Sequence, residues 1–125
     1  MTILNLTQHQ ATSEQKEEGV IEPSEKDKSH IRELLTFDEI PTKDELENRA
    51  RQIVNIAYNG YIEQNVNYAM IGGAPFFMAH LVEWLHDVNI QPLFAFSIRE
   101  SIETIAEDGS IVKNNVFRHK GFVEG

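Results

Sequence analysis

The chain has 125 residues, 41% of them hydrophobic, which is enough for one domain with a real core, and no apolar run is long enough to cross a bilayer. Asp and Glu outnumber Lys and Arg by 20 to 11, and the net charge of −9 argues against a grip on duplex nucleic acid or an anionic membrane. The absence of cysteine removes disulfides, thiolate nucleophiles and Cys-based metal sites, and with no secretory leader in MTILNL a cytoplasmic location is expected.

Thr2 to Leu6 reads as a short first strand. Thr12-Ser13-Glu14-Gln15 has capping-box spacing, and Gly19 closes a helix of about two turns. Residues 20 to 31, polar and carrying Pro23, read as a mobile surface loop, and Ile31 to Phe37 is too short for periodicity to separate helix from strand. A second capping box, Thr42 to Glu45, opens an amphipathic helix running to about Gly60, with Leu46, Ala50, Ile53, Val54 and Ala57 on its apolar face.

From Asn67 the chain is apolar and nearly uncharged: YAMI is a strand, GGAP a turn, and Phe76 to Val88 a helix with Pro75 in its first turn. QPLFAFS follows as a strand with apolar residues on both faces, which completes a parallel βαβ unit. SIETIA and IVKNNVFRHKGF, joined at Asp108-Gly109, form a closing β-hairpin. The expected fold is therefore α/β and Rossmann-like over residues 1–125: a mostly parallel sheet flanked by helices, ending in an antiparallel hairpin.

In such sheets ligands sit beyond the carboxyl ends of the strands. Gly72, Gly73 and Ala74 lie at one such end, where bare backbone ahead of a helix lets an anion reach the first amides. A tight turn that packs helix on sheet is the competing explanation, and GGAP is neither a dinucleotide fingerprint nor a Walker loop. Thr7, Gln8 and His9 follow the first strand, and Ser97 and Arg99 follow FAF; if these ends converge they make a polar site for a phosphorylated ligand. Arg99 would clamp phosphate bidentately, or alternatively pair with Glu100 or Glu103.

Residues 1 to 65 carry thirteen acids against seven bases, whereas 98 to 125 carry five against Arg99, Lys113, Arg118 and Lys120, so phosphate contacts are expected in the second region. His9 and His119 are the acid–base candidates, with Arg118 beside the latter on the opposite strand face. His80 and His86, six residues apart on one helix, do not share a face, and no metal-ligating pattern or cofactor motif is present. Trp84 and the phenylalanines at 76, 77, 94 and 96 read as core rather than as a stacking platform.

The order TQHQATSEQ, FAFSIRESIE, a DG turn and IVKNNVFRHKGF resembles the small stand-alone proteins of the CRISPR-associated Rossmann-fold (CARF-like) group, and within it the ring-nuclease branch. His9, Thr12 and Gln15 would correspond to that group's polar stretch after the first strand, Ser97 and Arg99 to its late-strand hydroxyl and base, and Val116, Phe117 and His119 to its hairpin motif. The resemblance is best over residues 91–122 and fair over 2–15. It implies a homodimer that binds a cyclic oligoadenylate across a two-fold axis and, in the nuclease branch, cuts it without metal or other cofactor. In that reading Gly72, Gly73 and Arg99 hold phosphate, Ser97 and Thr7 orient ribose or phosphate, and His9 moves a proton. The alternatives are a non-catalytic nucleotide-sensing module and an acidic interaction protein with no nucleotide ligand.

Overall fold

The computed structural model describes residues 1–125. Its five strands lie in the order β2-β1-β3-β4-β5, with β1 (Ile3–Asn5), β2 (Val20–Ile21), β3 (Tyr68–Ile71) and the start of β4 (Gln91–Ile105) parallel, and β5 (Ile111–Glu124) antiparallel to β4. The α/β class, the parallel sheet and the C-terminal hairpin are as the sequence predicts. No helix is long and apolar enough to cross a membrane.

The chain leaves β1 toward β2 and then returns past it to β3 and β4, so the strand order reverses between β1 and β3. Right-handed crossovers then put the β1–β2 connection on one face of the sheet and the later helices on the other. The first face carries only α1 (Ser13–Glu17), over Ile3, Val20, Met70 and Leu93. The second carries α2 (Glu25–Leu35), α3 (Lys43–Tyr61) and α4 (Pro75–Asp87), which bury Leu4, Ala69 and Ile71 with Ile31, Ile53, Val54, Phe77, Leu81 and Leu85. Side chains alternate across a strand, which is why Ile3 and Met70 serve one core and Leu4 and Ala69 the other.

Local chemistry explains the helix starts. Thr12 accepts from the Gln15 amide at 3.2 Å while the Gln15 side chain accepts from the Thr12 amide at 3.0 Å, a complete capping box. At Thr42 only half of the predicted box forms: its hydroxyl accepts from the Glu45 amide, but the Glu45 carboxylate turns to Arg49 at 2.8 Å. Arg49 also donates to the carbonyls of Glu33, Leu34 and Thr36, closing the C-terminus of α2 against α3. Between α3 and α4, Glu47 accepts from Trp84 Nε1 at 2.7 Å and lies 2.6 Å from His80 Nδ1.

Several expectations are corrected, and one left open is resolved. Residues 20 to 31 are not a mobile loop: they form β2 and the first half of α2, which Ser24 caps by accepting from the Asp27 amide. Ile31–Leu35 completes that helix, so the ambiguous IRELLTF segment is helical up to Leu35. Finally, FAFS does not end a buried strand. β4 runs on without a break to Ile105, and with β5 it forms a two-stranded arm on which Phe96 and Phe117 are 51% and 68% exposed. The apolar run continues past the last neighbour able to cover it. Phe76, read as core, is likewise half exposed, whereas Phe77 is buried and Phe94 and Trp84 pack partly against the core.

Candidate functional site

The register aligns Asn5 with Met70 and Met70 with Leu93, so β1, β3 and the parallel part of β4 finish side by side. Above their carboxyl ends, at the reversal of strand order, lies a cavity of about 440 Å³. That volume is within the range of small-molecule sites, about 300–1,000 Å³. Its walls are Thr7, Gln8, His9 and Gln10 from the loop after β1, Thr12 and Gln15 from the start of α1, Gly72 and Gly73 after β3, and Phe94 and Ala95 of β4. None of the chain's acidic side chains lines it, and every polar side chain there is neutral apart from the titratable His9. A protein of net charge −9 thus lines this cleft without a carboxylate.

The two glycines have different reasons to be glycine. Gly73 has φ 152°, and a Cβ there would meet Met78 Cε at 3.3 Å, so geometry alone favours glycine. A Cβ on Gly72 would meet only Thr7 Cγ2, at 3.8 Å, which is ordinary contact. Packing therefore does not demand glycine at 72, and its bare backbone widens the cavity floor. None of the turn and loop backbone hydrogen bonds uses the amide of Gly72, Gly73 or Ala74. Ala74 is the N-cap of α4 and supplies no side-chain cap, while Pro75 at the first helical position has no N–H to offer. The positive end of a 13-residue helix is thus left uncapped beside the cavity.

The loop after β1 is held by a buried polar network that sequence reading missed. Asn5, fully buried, accepts from the Thr7 amide (2.9 Å) and donates to the His9 carbonyl (2.7 Å) and the Glu22 carboxylate (3.0 Å). Glu22 also accepts from the Ala11 amide at 2.7 Å and lies 3.3 Å from Lys28 Nζ. Lys28, 4% exposed, donates to the carbonyls of Thr7 (2.8 Å) and His9 (2.9 Å), and Arg32 Nε donates to the carbonyl of Gln8 (3.1 Å). Burial works to raise the Glu22 pKa, but the Ala11 amide, the Asn5 amide and the Lys28 charge outweigh it and hold it below the usual carboxylate value. Burial pushes the Lys28 pKa down against the pull of Glu22. The available sequence signal was spacing: Lys28, Ile31 and Leu35 share one helix face, which places a lysine at a core position.

Of the residues predicted from sequence, the structure brings Thr7, Gln8, His9, Gly72 and Gly73 together around the cavity, with Ala74 next along the chain. His9 is exposed and its ring makes no hydrogen bond within the chain, so it is free to meet a ligand. The Thr7 hydroxyl is committed to its own loop, 2.7 Å from Asn5 Oδ1. Ser97, Arg99, Arg118 and His119 do not line the cavity. Ser97 and Arg99 share a strand face with Ala95 but lie farther along the arm, Arg99 by four residues, about 13 Å at the strand rise. Arg99 sits 5.7 Å from the Phe117 ring centroid rather than pairing with Glu100 or Glu103.

Those two acids take other bases: Arg118 donates to Glu100 at 3.1 Å and Lys113 lies 3.6 Å from Glu103, so much of the positive charge expected to meet phosphate is matched across the hairpin. His119 is buried by side chain (4% exposed), edge-on to Phe122 at 4.9 Å. Its Nε2 lies 3.2 Å from Glu18 Oε1, yet the angles make no hydrogen bond and neither ring nitrogen has a partner. A histidine packed beneath α1 contributes to docking that helix on β5, not to the cavity. His86 Nε2 lies 3.0 Å from the Gly125 carbonyl, and no cluster of His, Asp or Glu has the geometry of a metal site.

The chain belongs to the family described as Uncharacterized protein MJ1673 family, whose model matches residues 1–123. No curated protein and no solved structure matches the chain.

Proposed function

We propose that this member of the MJ1673 family binds a cyclic oligoadenylate in the cavity between β1 and β3. The observation that carries the reading is the unpartnered amide run from Gly72 to Ala74, set beside an uncapped helix N-terminus where the strand order reverses and no carboxylate intrudes. That arrangement suits a phosphate diester. The neutral amides and hydroxyls of Gln8, Gln10, Thr12 and Gln15 around it suit a ribose or base edge. The resemblance of the His9 to Gln15 stretch to ring nucleases supplies the ligand class.

A ring of several nucleotides exceeds one cavity, and two chains related by a two-fold axis would present two. The β4–β5 arm supports a second copy: an unpartnered two-stranded ribbon is marginal in water, and this one exposes Phe96, Ile98, Ile105, Ile111 and Phe117. Pairing arms through the face that carries Ile105, Ile111 and Phe117 would cover those three and would carry Arg99 and Ser97, on the same face, toward the facing copy.

Cleavage in this reading needs no metal. A ribose 2′-oxygen attacks the adjacent phosphorus, the bond to the 5′-oxygen breaks, and a 2′,3′-cyclic phosphate forms; His9 takes the 2′-hydroxyl proton and solvent protonates the departing 5′-oxygen. The amides of Gly72 and Gly73 offset charge on the non-bridging oxygens. One observation favours the narrower reading of a binding module without turnover: within one chain, Arg99 lies far from the cavity and His9 is the lone titratable group there.

Incubation with cyclic oligoadenylates of several ring sizes in EDTA, followed by product analysis, tests both. Linear product ending in a 2′,3′-cyclic phosphate, lost in His9→Ala with affinity kept, supports the nuclease. Tight binding with the ring intact supports the module, and neither binding nor cleavage of any ring rejects both.

A further inference from the structure

Lys28 is buried on the same face of α2 as Ile31 and Leu35, and a buried lysine is tolerated only where its ammonium is paired and hydrogen-bonded. What Lys28 and Arg32 do hold is three successive carbonyls, those of Thr7, Gln8 and His9. The chain has no cis peptide, and across a trans peptide the C=O and N–H point in opposite directions. Drawing the Thr7 and His9 oxygens toward α2 therefore turns the N–H groups of Gln8 and Gln10 away from it, and both residues line the cavity. The His9 amide is met by Thr7 Oγ1 at 3.3 Å, whereas those of Gln8 and Gln10 have no partner in the chain. Glu22, Lys28 and Arg32 line a separate cleft on the α2 side of the loop.

We propose that Lys28 is a positioning residue that sets the amides of Gln8 and Gln10 as a second group of phosphate donors, facing the Gly72–Ala74 amides across the cavity. The inference rests on the ligand class proposed above and adds which backbone groups recognise it and what orients them. Glu22 balances the Lys28 charge, and Asn5 fixes the turn between the strand and the first of these amides. Lys28 itself need not touch the ligand.

The test is a titration of ¹⁵N-labelled protein with cyclic tetra-adenylate and, separately, cyclic hexa-adenylate, following amide resonances. In the wild type, Gln8 and Gln10 should shift together with Gly72 and Gly73. In Lys28→Met/Glu22→Gln, which removes the pair without stranding either charge, the glycine shifts should persist, those of Gln8 and Gln10 collapse, and affinity fall by about tenfold. Glycine shifts with unmoved Gln8 and Gln10 amides in the wild type, or unaltered behaviour of the double variant, would overturn the positioning role while leaving the ligand reading intact. Silence of all four amides with both rings overturns the two together. Should the double variant fail to fold, the milder Lys28→Gln/Glu22→Gln, which keeps a neutral donor at position 28, decides: binding weakened about threefold with reduced shifts at Gln8 and Gln10 supports the proposal, and wild-type values overturn it.

Discussion

Gly72 and Thr7 face each other across the join between β3 and β1, with 3.8 Å between the place a Gly72 Cβ would occupy and Thr7 Cγ2. A methyl fits there, and larger side chains must grow into the cavity. Gly72→Ala should leave the melting temperature within about 2 °C of the wild type, since surface substitutions stay near ±0.5 kcal/mol. Gly72→Val should also fold but reduce ligand affinity by more than about tenfold, measured by calorimetric titration. Equal binding by wild type and Gly72→Val would mean the cavity floor is not the site.

Asn5 and Glu22 make a second test, because their side chains meet at 3.0 Å in a buried setting. Asn5→Asp replaces a donated hydrogen bond with two carboxylates in contact. It should destabilise by about 2–4 kcal/mol at pH 7, and the loss should shrink on acidification as the new carboxyl takes a proton. Denaturant melts at pH 7 and pH 5 check it; a deficit independent of pH would place Asn5 outside the charged network.

Glu47 gives a pH dependence of the opposite origin. Hydrogen bonds from Trp84 and then from His80 hold its pKa below the usual glutamate value of 4.5. The carboxylate form therefore favours the fold: its contribution is complete above about pH 4.5 to 5 and is lost as pH falls through the lowered folded value. Thermal melts between pH 3 and 6 should show Glu47→Gln losing less stability on acidification than the wild type. Parallel curves would show that the α3–α4 contact does not depend on this charge.

On the arm, Phe117 and Ile111 are exposed apolar groups on the face of Arg99, and a second copy is proposed to cover them. Phe117→Asp with Ile111→Asp should leave the sheet and helices folded by circular dichroism and shift the species seen by analytical ultracentrifugation from dimer to monomer. A wild type that is monomeric at every concentration would remove the two-fold pocket.

What could be read from the sequence was whatever is local or periodic. Thr12 with Gln15, Pro75 at the first turn of α4, the apolar stripe from Leu46 to Ala57 and the DG turn each announce their element, and all lie where expected. Gly72, Gly73 and His9 could be placed at one cavity because in this architecture the ends of the parallel strands open on a common edge. Lys28 was not, since in EPSEKDKSH a lysine that spans a buried loop looks like one that dangles in solvent, and only the fold of β2 beside β1 carries α2 beneath residues 7–9. Nor was the arm: FAFSIRESI has the composition of a covered strand, and its exposure depends on where the neighbouring β3 stops, at Ile71. Ser97 and Arg99 lie off the cavity for that reason, having been assigned to a strand end that lies earlier, where the parallel part of β4 finishes near Ala95.

Calorimetric titration of the wild-type chain with cyclic oligoadenylates of three to six nucleotides, in EDTA, addresses the central claim most directly. The expected result is saturable binding of at least one ring at a stoichiometry of one ring per two chains, with affinity that falls in Gly72→Val. No heat of binding from any ring, at any protein concentration from micromolar to millimolar, would contradict it.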